Sequence, residues 1–285
     1  AVGTIASSQG GSGGTGQATL RGGSGGTSQT VPIRLTAAQR TLFGLSAAAA
    51  KTTRPAGRYV VLAENSYSIG YGSGGNSMNG PKTSVIDTIT GGGLTYQDLT
   101  VSGAGSAGTP APPAVLTGSR GGSPTVAQLD AMPTGTKALR AELLAQAKQQ
   151  LAQGYEYFEA QAKKLGKKIK VGVSPQPTDD DLVYEQAADL LWEPDLSPTL
   201  RSALYKVLAA TPGVTVKTGA VDSKGRPAVE ISRVDTVAKT DVETFENPLT
   251  GGTLESAWKS SGELDEDLYL STTYTNTIPP DPYRG

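Results

Sequence analysis

The apolar positions change rhythm twice between Tyr59 and the end of the last apolar run. Between Tyr59 and Val101 they fall in short runs rich in tyrosine and β-branched residues, "GRYVVLAENSYSIGYG", "TSVIDTIT" and "LTYQDLTV", parted by "GSGGNSMNGP" and "GGG". Glycine-bounded runs of this composition predict the strands of an antiparallel meander. From Thr136 to about Leu165 the step becomes three and four, through Leu139, Leu143, Leu144, Ala147, Leu151, Tyr155, Phe158, Ala162 and Leu165. That spacing places all of them on one side of a long helix and predicts a continuous stripe facing a core. Beyond Gly213 the period returns to two in "VTVKTGAV", "PAVEISRV", "KTDVETFENPLTGGTLES" and "LYLSTTYTNTI", with "DSKGR" as a turn.

Three shorter helices are marked by their ends. Thr36 is placed to cap "AAQRTLFGLSAAAAK", and Thr178 to cap "DDDLVYEQAADLLWE", whose three aspartates suit the positive end of the helix dipole. Ser197 caps "PTLRSALYKVLAAT", with Pro198 at the first helical position. Leu182, Ala187, Leu190 and Leu191 on one helix, and Leu200, Leu204, Val207 and Leu208 on the next, are the expected buried faces. Strands, then helices, then strands predict an α+β fold in which a curved antiparallel sheet folds over helices. A doubly wound parallel fold needs strands and helices in alternation, which this order lacks.

The two ends and one internal stretch stand apart. Residues 1–31 carry "GGSGGTGQ" and "GGSGGTSQ" around "ATLR", so this segment is expected to be extended and of low complexity. Residues 32–275 form the predicted domain, with a glycine- and proline-rich excursion or edge strand at 102–124, and 276–285 a proline-rich tail. Glycine costs the most backbone entropy on ordering and brings no apolar surface, so the lead stays still only if something pairs its backbone. Gly10, Gly13, Leu20, Gly22 and Gly25 are the candidate residues for such pairing with a neighbouring chain.

Composition narrows the chemistry more than it selects it. The chain has 25 basic and 26 acidic residues and no field that favours nucleic acid, so no nucleic-acid partner is expected. Zero Cys removes disulfides, thiolate metal sites and a thiol nucleophile, and zero His removes the usual general base of hydrolytic triads and the histidine zinc sites. "GSGGTG" at Gly11 and "GYGSGG" at Gly70 match a dinucleotide-binding spacing, but neither opens a helix whose amides would meet a pyrophosphate. Asp179 to Asp181 read as helix-end electrostatics, and "ELDED" at Glu263 to Asp267 as a solvated acidic turn rather than a calcium loop. No cofactor, no metal and no enzymatic activity are expected. The chain begins at Ala1 with a Ser/Thr/Gly-rich lead and has no run of membrane-spanning length, so an exported, extracellular or cell-surface location is expected.

The stretch from Asp189 to Ile231 carries a resemblance. "LRSALYKVLAATPGV", Leu200 to Val214, and the hairpin "DSKGRPAV", Asp222 to Val229, resemble the shared motifs of an uncharacterised family of actinobacterial cell-envelope proteins. "AAAAKTTRPAGRYVVL" and "MPTGTKALRAELL" match it more loosely, so the likeness extends over about residues 36–275. It implies an extracytoplasmic domain with a LolA-like, lipoprotein-carrier-like architecture, an incomplete barrel of antiparallel strands wrapped around helices. Within the motifs Pro212, Gly213, Asp222, Gly225 and Arg226 are read as structural turn residues: glycine supplies positive φ in a tight hairpin and Asp222 bonds its own turn. Two roles follow from these readings. The leading one is a self-assembling extracellular subunit whose glycine-rich lead docks on another copy. The alternative is a domain that binds a hydrophobic envelope ligand or a partner protein in the concavity of the sheet.

Overall fold

The computed structural model describes residues 16–19, 30–54, 59–69, 82–91, 94–103, 114–116, 124, 126–166, 176–235, 239–260 and 263–276. The class is α+β. Nine strands form one antiparallel sheet: β3 (Tyr59–Ile69), β4 (Lys82–Gly91), β5 (Leu94–Gly103), β6 (Ala114–Leu116), β7 (Thr215–Val221), β8 (Pro227–Asp235), β9 (Thr240–Glu246), β10 (Thr253–Ser260) and β11 (Glu263–Thr275). Their order is β6-β5-β4-β3-β11-β10-β9-β8-β7, so the sheet is open, with β6 and β7 as its edges. The two meanders of the sequence are one sheet because β11 pairs along its length with β3, from Leu264 opposite Ile69 to Thr275 opposite Tyr59. A separate pair is made by β1 (Gly16–Thr19) and β2 (Thr30–Ile33).

The acidic stretch "ELDED" is the start of β11 and not a turn. Glu263 to Asp267 run antiparallel to β10, with Asp265 opposite Trp258 and Leu264 opposite Lys259. Five residues with one apolar member look like a solvated turn, yet the backbone hydrogen bonds of two flanking strands decide the conformation.

Among the described residues there are five helices: α1 (Ala37–Ala49), α2 (Val126–Ala131), α3 (Thr136–Lys164), α4 (Asp179–Trp192) and α5 (Pro198–Ala210). Capping boxes open α1 and α4. Thr36 accepts from the Gln39 amide at 3.1 Å while Gln39 accepts from the Thr36 amide at 3.0 Å, and Thr178 and Asp181 make the same exchange. Ser197 caps α5, accepting from the Leu200 amide at 3.2 Å. On α1 and α5 two small residues meet, Ser46 and Ser202, and their hydroxyls lie 2.8 Å apart in the buried seam. The core runs from Leu42 and Leu45 through Leu139, Leu143, Leu191, Leu200, Leu204 and Leu208 to Val229 and Ile231 of β8. Each such side chain contributes about 1.5–3 kcal/mol by leaving water.

One helical expectation fails over part of its length. Leu139, Leu143 and Ala147 are buried, but Phe158 is 60% exposed and Leu165 69%, and Leu151 and Tyr155 are only half-buried. The reason is length. At 29 residues α3 is about 43 Å long, whereas α4 and α5, at 14 and 13 residues, offer about 20 Å of partner each. Most of the second half of α3 overhangs them, although Ala162, on the same stripe, is buried as expected.

Candidate functional site

The positions singled out in the sequence separate into two groups. Gly10, Gly13, Leu20, Gly22 and Gly25 lie outside the described residues; beside them Gly16–Thr19 pairs with Thr30–Ile33 of the same chain. The turn residues are all described. Pro212 and Gly213 connect α5 to β7, Gly213 at φ 80° beside the Arg233 guanidinium. Between β7 and β8 the Asp222 carboxylate is buried and accepts from the amides of Lys224 at 3.0 Å and Arg226 at 2.8 Å, and from the Arg226 guanidinium. Gly225, at φ 76°, donates its amide to the Asp222 carbonyl at 2.8 Å. The turn is tied to β10, since Glu255 accepts from the Ser223 amide at 2.7 Å and Arg226 donates to the Leu254 carbonyl at 3.2 Å. Every one of these contacts is internal, so the turn bears on the fold.

A concave site among the described residues lies elsewhere. A cleft of about 270 Å³ lies between the segment following α1, the loop joining α4 to α5, and the strands β10 and β11. Arg54, Arg201, Thr250, Thr253, Thr272 and Tyr274 supply its polar wall, while Leu191, Leu196 and two prolines supply the apolar part. The α4–α5 loop is held from three directions. Arg201 donates to the Leu191 carbonyl at 2.8 Å and the Glu193 carbonyl at 3.0 Å, so its charge sits on the negative end of α4. Arg54 donates to the Asp195 carbonyl at 2.6 Å and forks onto Asp130 at 2.8 and 3.0 Å. Tyr274 donates to the Pro194 carbonyl at 2.9 Å. The fork to Arg54 holds the Asp130 carboxyl below the usual range, and burial raises the Tyr274 phenol above its own.

The floor of this region is a turn built on glycine. Asn247 accepts through its side chain from the amides of Leu249 at 2.9 Å and Thr250 at 3.2 Å, and its own amide donates to the Gly252 carbonyl at 2.8 Å. Gly251 sits at φ 62°, where a Cβ would come within 3.0 Å of the Leu45 carbonyl oxygen and 3.2 Å of Tyr205. Only glycine satisfies both the left-handed backbone and the close approach of α1. Behind the turn lies Glu246, fully buried. Its carboxyl meets the Tyr205 hydroxyl at 2.9 Å and the Thr253 hydroxyl at 3.0 Å. Burial is the largest influence on this group and raises its pKa, against Arg201 and the hydroxyls of Tyr205, Thr253 and Thr244, which lower it.

A second titratable group faces the other end of α4. Asp181 pairs with Arg233 at 2.7 Å, both being buried or nearly so. Glu185, one turn on, has a pKa raised to about 7 by burial first and then by the carboxylates of Asp235, Asp189 and Asp181, with Arg233 acting in the opposite sense. The three aspartates opening α4 each meet a cation from a different place: Asp179 meets Lys148, Asp180 meets Arg140 and Asp181 meets Arg233. They fasten α4 to α3 and to β8. Among the described residues no group of three or more carboxylates is gathered in a metal-binding arrangement.

Neither the cleft nor Glu246 stood out in the sequence. The available signal was "NPLTGG", an Asn side chain poised to start a turn that ends in two glycines, inside a run read as strand. No family model and no curated protein matches this chain. Among solved structures, the crystal structure of LprF from Mycobacterium bovis is similar at 9% identity and a TM-score of 0.26, over 85% of this chain and 95% of that one. Among the described residues no helix is long and apolar enough to cross a membrane.

Proposed function

We propose that this protein is a non-enzymatic binding domain of the cell envelope, akin to the actinobacterial family whose motifs it resembles, and that it takes a small polar ligand in the cleft beside Tyr274 and Arg201. One observation carries this reading. The concave site is small and lined by threonine hydroxyls, a phenol and two guanidinium groups, whereas the space between helices and β8 is filled by Tyr184, Leu191, Leu204 and Ile231. About 270 Å³ is at the lower limit of small-molecule sites, enough for one sugar- or amino-acid-sized unit and too little for an acyl chain. In this cleft the ligand of the carrier reading is therefore a polar one. For the self-assembly reading, the described part of the glycine-rich lead pairs within its own chain and no observation favours docking on a neighbour. The absence of His and Cys, and the engagement of both cleft arginines with backbone carbonyls, support a role without catalysis.

The test is nuclear magnetic resonance of the isotopically labelled chain with a disaccharide containing N-acetylglucosamine, a short polar peptide and a medium-chain fatty acid as separate probes. A polar probe is expected to shift the amides of Thr52 to Arg54, Thr250 to Thr253 and Thr272 to Tyr274. Thr272→Trp, which puts bulk on the exposed rim, is expected to abolish those shifts. Fatty-acid shifts among α4 and β8, with none at the cleft, would reverse the reading.

A further inference from the structure

The hydrogen-bonding inventory around Glu246 is short of protons. The Tyr205 hydroxyl lies 2.9 Å from the carboxyl and 2.7 Å from the Gly251 carbonyl oxygen. The Thr253 hydroxyl lies 3.0 Å from the carboxyl and 2.9 Å from the Leu191 carbonyl oxygen. Carbonyl oxygens only accept, and each hydroxyl has one proton, so an ionised Glu246 leaves two protons for four close oxygen pairs. The Leu191 carbonyl accepts from Arg201 in any case and Thr244 also bonds the carboxyl, so the shortage falls on Tyr205: its one proton serves either the Gly251 carbonyl or the carboxylate, and the other then faces a lone pair. A proton on the carboxyl relieves it: Tyr205 donates to Gly251 and Glu246 donates back to the Tyr205 hydroxyl, while Thr253 gives its proton to Leu191 or to the second carboxyl oxygen at 3.2 Å.

We propose that Glu246 is held as the neutral acid near neutral pH, and that its proton is the clasp joining the Asn247–Gly252 turn and β10 to α4 and α5. The groups facing it are consistent with this state. From α5 come Tyr205 and Arg201, from α4 the Leu191 carbonyl and the Tyr184 phenol, from β10 Thr253 and from β9 Thr244. Arg201 is the cation among them, and its guanidinium is directed at the Leu191 and Glu193 carbonyls. Full burial of the carboxyl opposes ionisation, because an uncompensated buried anion costs several kcal/mol. Thr253 belongs both to the clasp and to the cleft wall, so loss of the proton frees its hydroxyl to turn from Leu191 to Glu246. The proposal does not depend on what the cleft binds.

The sign of the pH dependence is fixed. A carboxyl whose folded-state pKa lies above its unfolded value adds stability fully at low pH and loses it as pH rises through the folded value. Within that window folding takes up a proton, and the ratio of the wild-type to the Glu246→Gln folding constant falls about tenfold per pH unit. The decisive measurement needs no variant. The side-chain carboxyl carbon of Glu246, assigned by through-bond correlation in carbon-13-labelled wild-type protein, is followed through a pH titration. A neutral-acid shift persisting to neutral pH is expected, with a matching carbonyl stretch in the infrared spectrum that disappears in Glu246→Gln. An ionised shift at neutral pH, with its midpoint in the ordinary carboxylate range, would overturn the proposal.

Discussion

The two halves of α3 carry the same spacing of apolar residues, yet the first is buried at each step and the second at few of them. Leu139, Leu143 and Ala147 are all buried, whereas in the second half Ala162 is buried but Phe158 and Leu165, at the same helical step, are largely in water. Periodicity shows which face of a helix is apolar; it contains nothing about how far the neighbouring layer extends. The boundary falls near Lys148, whose ammonium reaches Asp179 at the opening of α4 at 2.8 Å. Beyond it Tyr157 and Phe158 rest edge to face on each other, with ring centres 5.9 Å apart.

The contrast is broken most strongly at Leu143. Removing this fully buried side chain in Leu143→Ala is expected to cost about 3 kcal/mol, read by urea unfolding, since both transfer and cavity terms apply. A loss below about 1 kcal/mol would mean that the first half of α3 is no better packed than the second. The next effect sharpens the contrast from the α4 side. Glu185→Gln is expected to raise stability by about 1–2 kcal/mol above neutral pH and to leave it unchanged near pH 4, after discounting for its partial exposure. The sign follows from the raised folded-state value of about 7: the wild-type contribution is complete in acid and fades as pH rises through that value. Thermal unfolding of both chains as a function of pH measures this, and parallel profiles would remove the interpretation. Arg140→Ala breaks the half-exposed pair with Asp180 and is expected to cost about 1 kcal/mol or less, a difference that high salt should diminish. Smallest of all is the change in the overhang, where Phe158→Ser with Leu165→Ser should move the midpoint of unfolding by no more than about 0.5 kcal/mol.

The capped helices were the most legible part of the sequence. Thr36, Thr178 and Ser197 each sit before an amphipathic run, and the orphan amides they satisfy are local to the first turn. The α+β class followed from the order of the elements. Joining β11 to β3 did not, because no local feature of "ENSYSI" or "ELDEDL" specifies a partner so distant in the chain. The same limit hid the site. Glu246 lies in a strand whose other residues include Asp241 and Glu243, and a carboxylate there reads as solvent-facing. Tyr205 and Thr253, which make its burial affordable in hydrogen bonds, are supplied by α5 and β10, and only the folded chain brings them together. Pro212, Gly213, Asp222, Gly225 and Arg226 were visible as turn formers because turn chemistry is local.

The pairing of β11 with β3 has a consequence for how the molecule is made. During synthesis β3, β4 and β5 emerge early and can zip into a meander, yet one side of β3 stays open until β11 is available, after helices α1 to α5 have been made. Such late closure belongs to the slow end of folding rates, and the waiting strand presents unpaired amides to any chain nearby. A chain released before β11 would therefore retain its capped helices and lose its sheet at the middle, which makes β11 the keystone of assembly order.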